Sequence, residues 1–186
     1  MTTPRKRIPE ETRTRLVAAA EKEFNSRGFD GTDTNRIAKK AGYAPQTFYR
    51  HFPDKTAIFL AVYDRWWRAE SSALAQSKAR NAKDAAKIAL EFHTRWRVFR
   101  RSLRHLAIVD AKVRKARTLA RTEQIERWKK AGSRRSHADL AAALLAAERL
   151  LDAAAEGELA DLGLKPPAIL GLAAAAMAGL MRQKGL

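Results

Sequence analysis

The sequence has no cysteine in its 186 residues, which removes disulfide frameworks, thiolate zinc sites and cysteine nucleophiles from consideration. Nothing in it reads as strand, because no stretch alternates apolar and polar residues with a period of two. Long apolar runs are missing as well. The longest, "AILGLAAAAMAGLM" at 168–181, is rich in alanine and shorter than the roughly 20 residues a membrane-crossing helix needs. The basic start "MTTPRKRIPEE" has no apolar stretch behind it, so no secretory signal is expected. A soluble, cytoplasmic protein without a membrane partner is the expectation. No Ser/His/Asp set, glycine-rich phosphate loop or paired carboxylate stands out, so no catalytic site is read. His51, His93, His105 and His137 show no metal-ligand spacing on a single helix, and a hydrogen-bonded structural histidine is the commoner use of such residues. Neither a metal nor a cofactor is expected.

Acidic residues are scarce. Lys and Arg number 37 against 20 Asp and Glu, a formal net charge of +17. Such an excess favours a polyanionic partner: nucleic acid, an acidic membrane or an acidic small molecule. Composition alone does not choose, and a surface of solvated arginines would look the same. Length permits one large domain, or a small module joined to a larger one, with a core that needs no staples.

What is present is helical spacing from end to end. A first helix is expected from about Glu10 to Arg27, with Leu16, Val17, Ala20 and Phe24 on one face and Gly28 as its stop. "GTDTNRIAKKAG" reads as a short helix capped by Asp33 or Thr32, with Ile37, Ala38 and Ala41 inside and Gly42 at its end. Pro45 suits the first turn of a third helix, which Pro53 stops. Two short helices joined by a tight glycine-containing turn outline a helix-turn-helix. Asp54 can cap a long fourth helix reaching about Arg80. After a break near Asn81 another helix carries Ile88, Phe92, Trp96, Phe99 and Leu103. Further helices are expected from Asp110 to about Lys130, from His137 to Ala155 and from Ala168 to about Lys184.

The stretch "APQTFYRHF", Ala44 to Phe52, divides its residues between two tasks. Phe48 and Phe52, four apart, face inward. Gln46, Thr47, Tyr49, Arg50 and His51 are left toward solvent in the first turns, where a recognition helix meets base edges. Gln can pair with adenine, Arg with guanine, and Thr can offer a methyl to thymine. Tyr49 and His51 suit phosphate oxygens, and Lys55 can neutralise another phosphate. The alternative for Tyr49 is a ring packed beneath the next helix. The arm Arg5 to Arg7 could add minor-groove or phosphate contacts.

"GFDGTDTNRIAKKAGYAPQTFYRHFPDKTAIFLAVYD", Gly28 to Asp64, resembles the N-terminal signature of the TetR family of transcriptional regulators. The glycine-rich turn, "IA..AG", "TFY.HF" and the lysine opening the next helix occur in order. The resemblance covers about the first third of the chain. It implies an all-α protein: an N-terminal three-helix helix-turn-helix DNA-binding domain, 1–53, joined to a larger helical effector-binding and dimerisation domain, 54–186. It places Thr34, Asn35, Pro45, Gln46, Thr47, Tyr49, Arg50, His51 and Lys55 at the DNA. Two departures stand out. Asp33 replaces the usual Ser or Thr, which favours capping over phosphate contact, and Ala44 replaces a side-chain cap, so the third helix relies on Pro45. The function implied is a regulator, a repressor by expectation, that binds an inverted-repeat operator on double-stranded DNA as a homodimer and is released by a small molecule. A sequence-tolerant architectural DNA-binding protein is the alternative.

In the larger domain Trp66, Phe92, His93, Trp96, Phe99 and Trp128 are the pocket candidates, since ligand sites in helical domains lie between helices. A stripe at helical spacing is also what ordinary core looks like. Trp66 and Trp67 are adjacent and cannot share a face, so one should lie at an edge. Residues 95–135 hold fifteen Lys or Arg against Asp110, Glu123 and Glu126. Three readings stay open: a solvated basic face, a second contact with DNA phosphates, or one or two arginines turned inward to meet an acidic effector such as a carboxylate or an acyl thioester. The last two helices are apolar on more than one face, which fits burial against a second subunit.

Overall fold

The structure, a computed structural model, describes residues 9–77, 81–178 and 180. Among these there are ten helices and no strand. No helix of the described residues is long and apolar enough to cross a membrane. The arm Arg5 to Arg7, the end of the expected fourth helix and the last turns of the expected final helix lie outside the described residues. Two compact units result, the first ending at Trp66 and the second beginning at Trp67.

The first unit holds α1 (Pro9–Arg27), α2 (Thr34–Ala41), α3 (Pro45–Tyr49) and the start of α4 (Lys55–Gln76). Its core follows the expected faces: Leu16, Ala20, Phe24, Ile37, Ala38, Phe48 and Ile58 are fully buried. Phe24 meets Phe59 edge-on with ring centroids 5.1 Å apart, and Phe29 lies against both. This contact draws the first turns of α4 into the first unit, beyond the 53/54 boundary expected from the sequence. Local chemistry sets the helix ends. Asp33 Oδ1 accepts the Arg36 N–H at 2.8 Å, so the capping role read for Asp33 is filled. Gly42 closes α2 with φ of 81°, and the Tyr43 N–H returns to the Ala38 carbonyl. Ala44 makes no side-chain cap, and Pro45 opens α3. Asp54 Oδ1 accepts the Ala57 N–H at 2.7 Å at the head of α4.

In the second unit α5 (Ala82–Arg95), α6 (Arg97–Val109), α7 (Ala111–Lys130) and α8 (His137–Glu156) are followed by short α9 (Glu158–Asp161) and α10 (Pro166–Ala178). Ala85, Ala86 and Ala89 of α5 pack with Ala147 and Leu151 of α8 and with Ala173 and Met177 of α10. Small side chains at these positions let the three helices approach closely. Ser136 heads α8 in a reciprocal capping box with Asp139.

Four features differ from the sequence reading. α3 is only five residues long, so Arg50 is its cap, and His51 and Phe52 lie in the turn that Pro53 ends. The single helix expected through Ile88 and Leu103 is two helices broken at Trp96, where φ is −109° and ψ 17°; neither proline nor glycine marks the break. α9 occupies part of what reads as a linker. Trp66 and Trp67 are both buried, at 1% and 9% exposure, rather than one of them lying at an edge. Trp66 closes the first unit and Trp67 opens the second, so adjacent residues on different faces both find a core.

Candidate nucleic-acid interface and ligand cavity

A short helix stopped on both sides presents its polar residues as a compact set. On α3, Phe48 is buried, while Pro45, Gln46, Tyr49 and Arg50 are exposed, and Thr47 and His51 are half-buried. Asn35 is exposed on the first turn of α2, beside Thr34. Thr34 Oγ1 lies 2.9 Å from Tyr49 Oη, so the start of α2 and the end of α3 meet through their hydroxyls. Tyr49 is 55% exposed. Its ring touches Phe48 edge-on and is not packed beneath a neighbouring helix.

Lys55 has a more specific setting than the sequence suggests. Its ammonium donates to the Phe29 carbonyl at 2.8 Å and to the Thr32 carbonyl at 3.0 Å, and sits 4.1 Å above the Phe29 ring. It ties the Gly28–Asp33 turn to the head of α4. One of its three N–H groups remains for a phosphate. A second anchor escaped the sequence reading. Glu23 of α1 is buried and accepts from Lys40 Nζ at 2.6 Å and Thr32 Oγ1 at 3.2 Å, with Arg27 at 3.5 Å. Burial alone would push its carboxyl up, but these donors hold it below the usual range. α1 is thereby pinned to α2 and to the turn before it.

The second unit contains a cavity of about 210 Å³. Trp67, Trp128, Leu144, Leu151 and Met177 supply most of its apolar wall, and Glu70, His93, Gln124 and Glu148 its polar one. Of the six pocket candidates, His93 and Trp128 line it. Trp66 belongs to the first unit, Trp96 and Phe99 pack edge-on against each other at 5.6 Å, and Phe92 is half-buried away from the wall. Trp67 faces the cavity where Trp66 was expected to.

Behind this wall runs a chain of ion pairs between the basic helices and α8. Asp152 is buried and receives Arg100 Nε at 2.5 Å, Arg104 at 2.8 Å and His93 Nδ1 at 2.9 Å. Glu148 receives Arg117 at 2.9 Å and Arg121 at 2.5 Å, and Glu156 receives Arg104 at 2.5 Å. Burial would push the Asp152 carboxyl up, yet the hydrogen bond from His93 and the charge and hydrogen bonds of Arg100 outweigh it and hold the group far below the carboxylate range. Glu148 is likewise held low against its burial by Arg121, with Arg100 and Arg117 adding to the effect. With Arg101 also 3.6 Å from Glu156, five of the fifteen cations in 95–135 are therefore engaged with α8, and none of those five lines the cavity. The sequence did carry this signal. Arg100 and Arg104, Arg117 and Arg121, and Glu148, Asp152 and Glu156 are each spaced by four, which puts each set in one row along its helix.

Residues 16–62, from mid-α1 into α4, match the sequence model of the family described as "Bacterial regulatory proteins, tetR family". The HTH-type transcriptional regulator YdgC of Bacillus subtilis (strain 168) is 47% identical over 49 residues, 26% of this chain and 25% of that protein. An HTH-type transcriptional regulator of Staphylococcus aureus (strain bovine RF122 / ET3-1) is 40% identical over 55 residues, 30% of each chain. Both matches thus span less than a third of those relatives. Among solved structures, GusR of Salmonella enterica aligns over 94% of this chain and 97% of its own with a TM-score of 0.67 at 19% identity. A TetR transcriptional regulator from Rhodococcus sp. RHA1 aligns over 96% and 100% with a TM-score of 0.66, also at 19% identity. Likeness at that identity extends the fold, though not the ligand or the target, through the second unit. The helix-turn-helix segment thus matches the tetR-family sequence model, and the whole chain shares its fold with solved structures of TetR-family regulators.

Proposed function

We propose that this protein is a TetR-type transcriptional regulator, a cytoplasmic repressor that binds an inverted-repeat operator as a homodimer and releases it when a small molecule enters the second unit. The observation that carries the reading is the exposed set Gln46, Tyr49 and Arg50 on a five-residue helix, inside the segment that matches the family. In this reading Gln46, Thr47 and Arg50 meet base edges. Thr34, Asn35, Pro45, Tyr49, His51 and the spare N–H of Lys55 hold the phosphates on either side. A two-fold dimer sets two copies of α3 on major-groove faces about one turn of DNA apart. The apolar residues that α8 and α10 leave exposed, Leu145 and Leu172, supply part of the subunit contact. α4 contributes residues to both units, which makes it the lever through which a bound ligand favours a spacing that no longer fits the half-sites. The chain acts by binding, and no catalytic step is assigned to it.

The test is fluorescence anisotropy of the purified chain on DNA from upstream of its own gene and on a shuffled control, across a salt series. Preference for one inverted repeat that survives moderate salt supports the reading. Equal binding to both, collapsing together as salt rises, would mean that phosphate attraction dominates. That outcome favours the architectural alternative, to which the net charge of +17 lends its weight.

A further inference from the structure

We infer that the second-unit cavity takes an uncharged organic compound: a body of about one ring carrying a carbonyl-type oxygen, held by donors from Ser71, Gln124 and Trp128. This rests on the reading that the cavity is the effector site.

Three observations carry it. First, the carboxylates on the wall are already engaged. Glu148 receives Arg117 and Arg121, and Glu70 is paired with His93 Nε2 at 3.4 Å, while the other nitrogen of that ring meets Asp152. Both glutamates also lie in the field of the buried Arg100. Among the described residues no lysine or arginine lines the cavity. An acidic ligand would find no cation there, and a basic one would find carboxylates that have partners. Either ion would give up its hydration without a matching charge in return. The chain's net charge of +17 is therefore no guide to this site.

Second, the polar groups left over on the wall can donate. Arg127 donates to Gln124 Oε1 at 2.7 Å, which leaves the Gln124 amide NH2 for a ligand. The Ser71 hydroxyl and the Trp128 indole N–H have no hydrogen-bond partner among the described residues, and all three side chains line the cavity. A carbonyl oxygen has two lone pairs, so two of these three donors satisfy it. Third, the remaining wall is largely apolar, with Trp67, Leu144, Leu151 and Met177. At about 210 Å³ the space suits one ring and a short chain, smaller than the ~300–1,000 Å³ of drug-sized sites.

Ligand-observed NMR titration of the full chain without DNA tests this with four compounds of one shape. Acetophenone, isopropenylbenzene, benzoate and benzamidinium each carry a phenyl ring on a trigonal carbon and differ in charge and acceptor. The ketone should bind about five- to tenfold more tightly than the hydrocarbon, the gain from one or two hydrogen bonds. Each ion should bind at least about tenfold more weakly than the ketone. Ser71→Ala, Gln124→Leu and Trp128→Phe combined, checked for native helicity and melting, should bind ketone and hydrocarbon alike and leave the hydrocarbon's affinity in place. Equal binding of ketone and hydrocarbon by the native chain overturns the proposal. So does either ion matching the ketone, a variant that keeps the ketone's advantage, or no binding of any of the four at millimolar concentration. If the combined variant does not fold, the comparison of the four compounds on the native chain decides. A parallel operator-release assay separates the two readings. Donor-dependent ketone binding that leaves the operator bound would sink the ligand-release function and keep the ligand chemistry. Release by benzoate or benzamidinium without ketone binding would do the reverse.

Discussion

Thr34 Oγ1 and Tyr49 Oη lie 2.9 Å apart, joining the first residue of α2 to the last of α3 across the exposed side of the helix-turn-helix. The bond sets the orientation of a phenol that is otherwise free in water. Tyr49→Phe should therefore leave the melting temperature nearly unchanged, because an exposed hydrogen bond contributes little to folding. It should weaken operator binding by about 0.5–1.5 kcal/mol, the usual net value of one hydrogen bond. Gln46→Ala and Arg50→Ala should cost about 1–3 kcal/mol each, and only on the specific operator. If anisotropy shows all three variants binding like the parent, α3 is not the recognition helix.

Lys55 carries two roles that different measurements separate. Its ammonium holds the Phe29 and Thr32 carbonyls and the Phe29 ring, and hydrogen bonds from a charged donor are worth about 1.5–3 kcal/mol each. Lys55→Ala should lower the stability of the first unit by roughly that amount, read in urea unfolding. If its remaining N–H also meets a phosphate, the slope of log affinity against log salt should fall by about 1. A loss of stability with an unchanged slope would restrict Lys55 to the turn.

Much of the first unit was legible because its signals are local. Caps at Asp33 and Asp54, stops at Gly42 and Pro53, and the inward pair Phe48 and Phe52 each act within a few residues of where they are written. The second unit was legible as a count of helices, less so as a site. Trp66, Phe92, Trp96 and Phe99 read as pocket candidates because a periodic aromatic row looks the same whether it faces a neighbouring helix or a cavity. None of the four lines the cavity, and nothing in the local sequence announces the helix break at Trp96. The arginines resemble a solvated face when read alone. Only pairing the acidic row of period four on α8 with the two basic rows on α6 and α7 shows where Arg100, Arg104, Arg117 and Arg121 go.

Gly31 and Gly42 are both constrained, for different reasons. A Cβ at Gly31 would lie 2.3 Å from the Arg27 carbonyl oxygen, a backbone atom that cannot swing aside, although its φ is not positive. At Gly42 the nearest atom would be an Arg15 nitrogen at 3.7 Å, and the obstacle is φ of 81°. Gly42→Ala should cost about 1–2 kcal/mol, the penalty of a left-handed conformation. Gly42→Asn should recover part of it, since asparagine tolerates that region. Gly31→Ala should cost about 1–3 kcal/mol as overpacking does, and Gly31→Asn should recover none. Thermal denaturation of the four variants checks the contrast; recovery at Gly31 would mean that the turn can shift.

Asp152 binds the second unit together through charge, and acid should loosen it. Its carboxyl is held far below the ordinary value in the fold, despite burial, by His93 and Arg100. Unfolding returns it to about 3.9. A carboxylate lowered by folding contributes stability that is complete above the unfolded value and is lost as pH falls below it. The parent's stability should therefore decline steeply below about pH 4, with the low-lying Glu148 adding to the same limb. Asp152→Asn should flatten part of that decline. At neutral pH it should cost about 3–5 kcal/mol, because Arg100 would stay buried beside a neutral amide. Urea unfolding at pH 7 and pH 3 makes the comparison directly. If parent and variant lose the same stability between those pH values, the network is too well solvated for its charges to be linked to folding in this way.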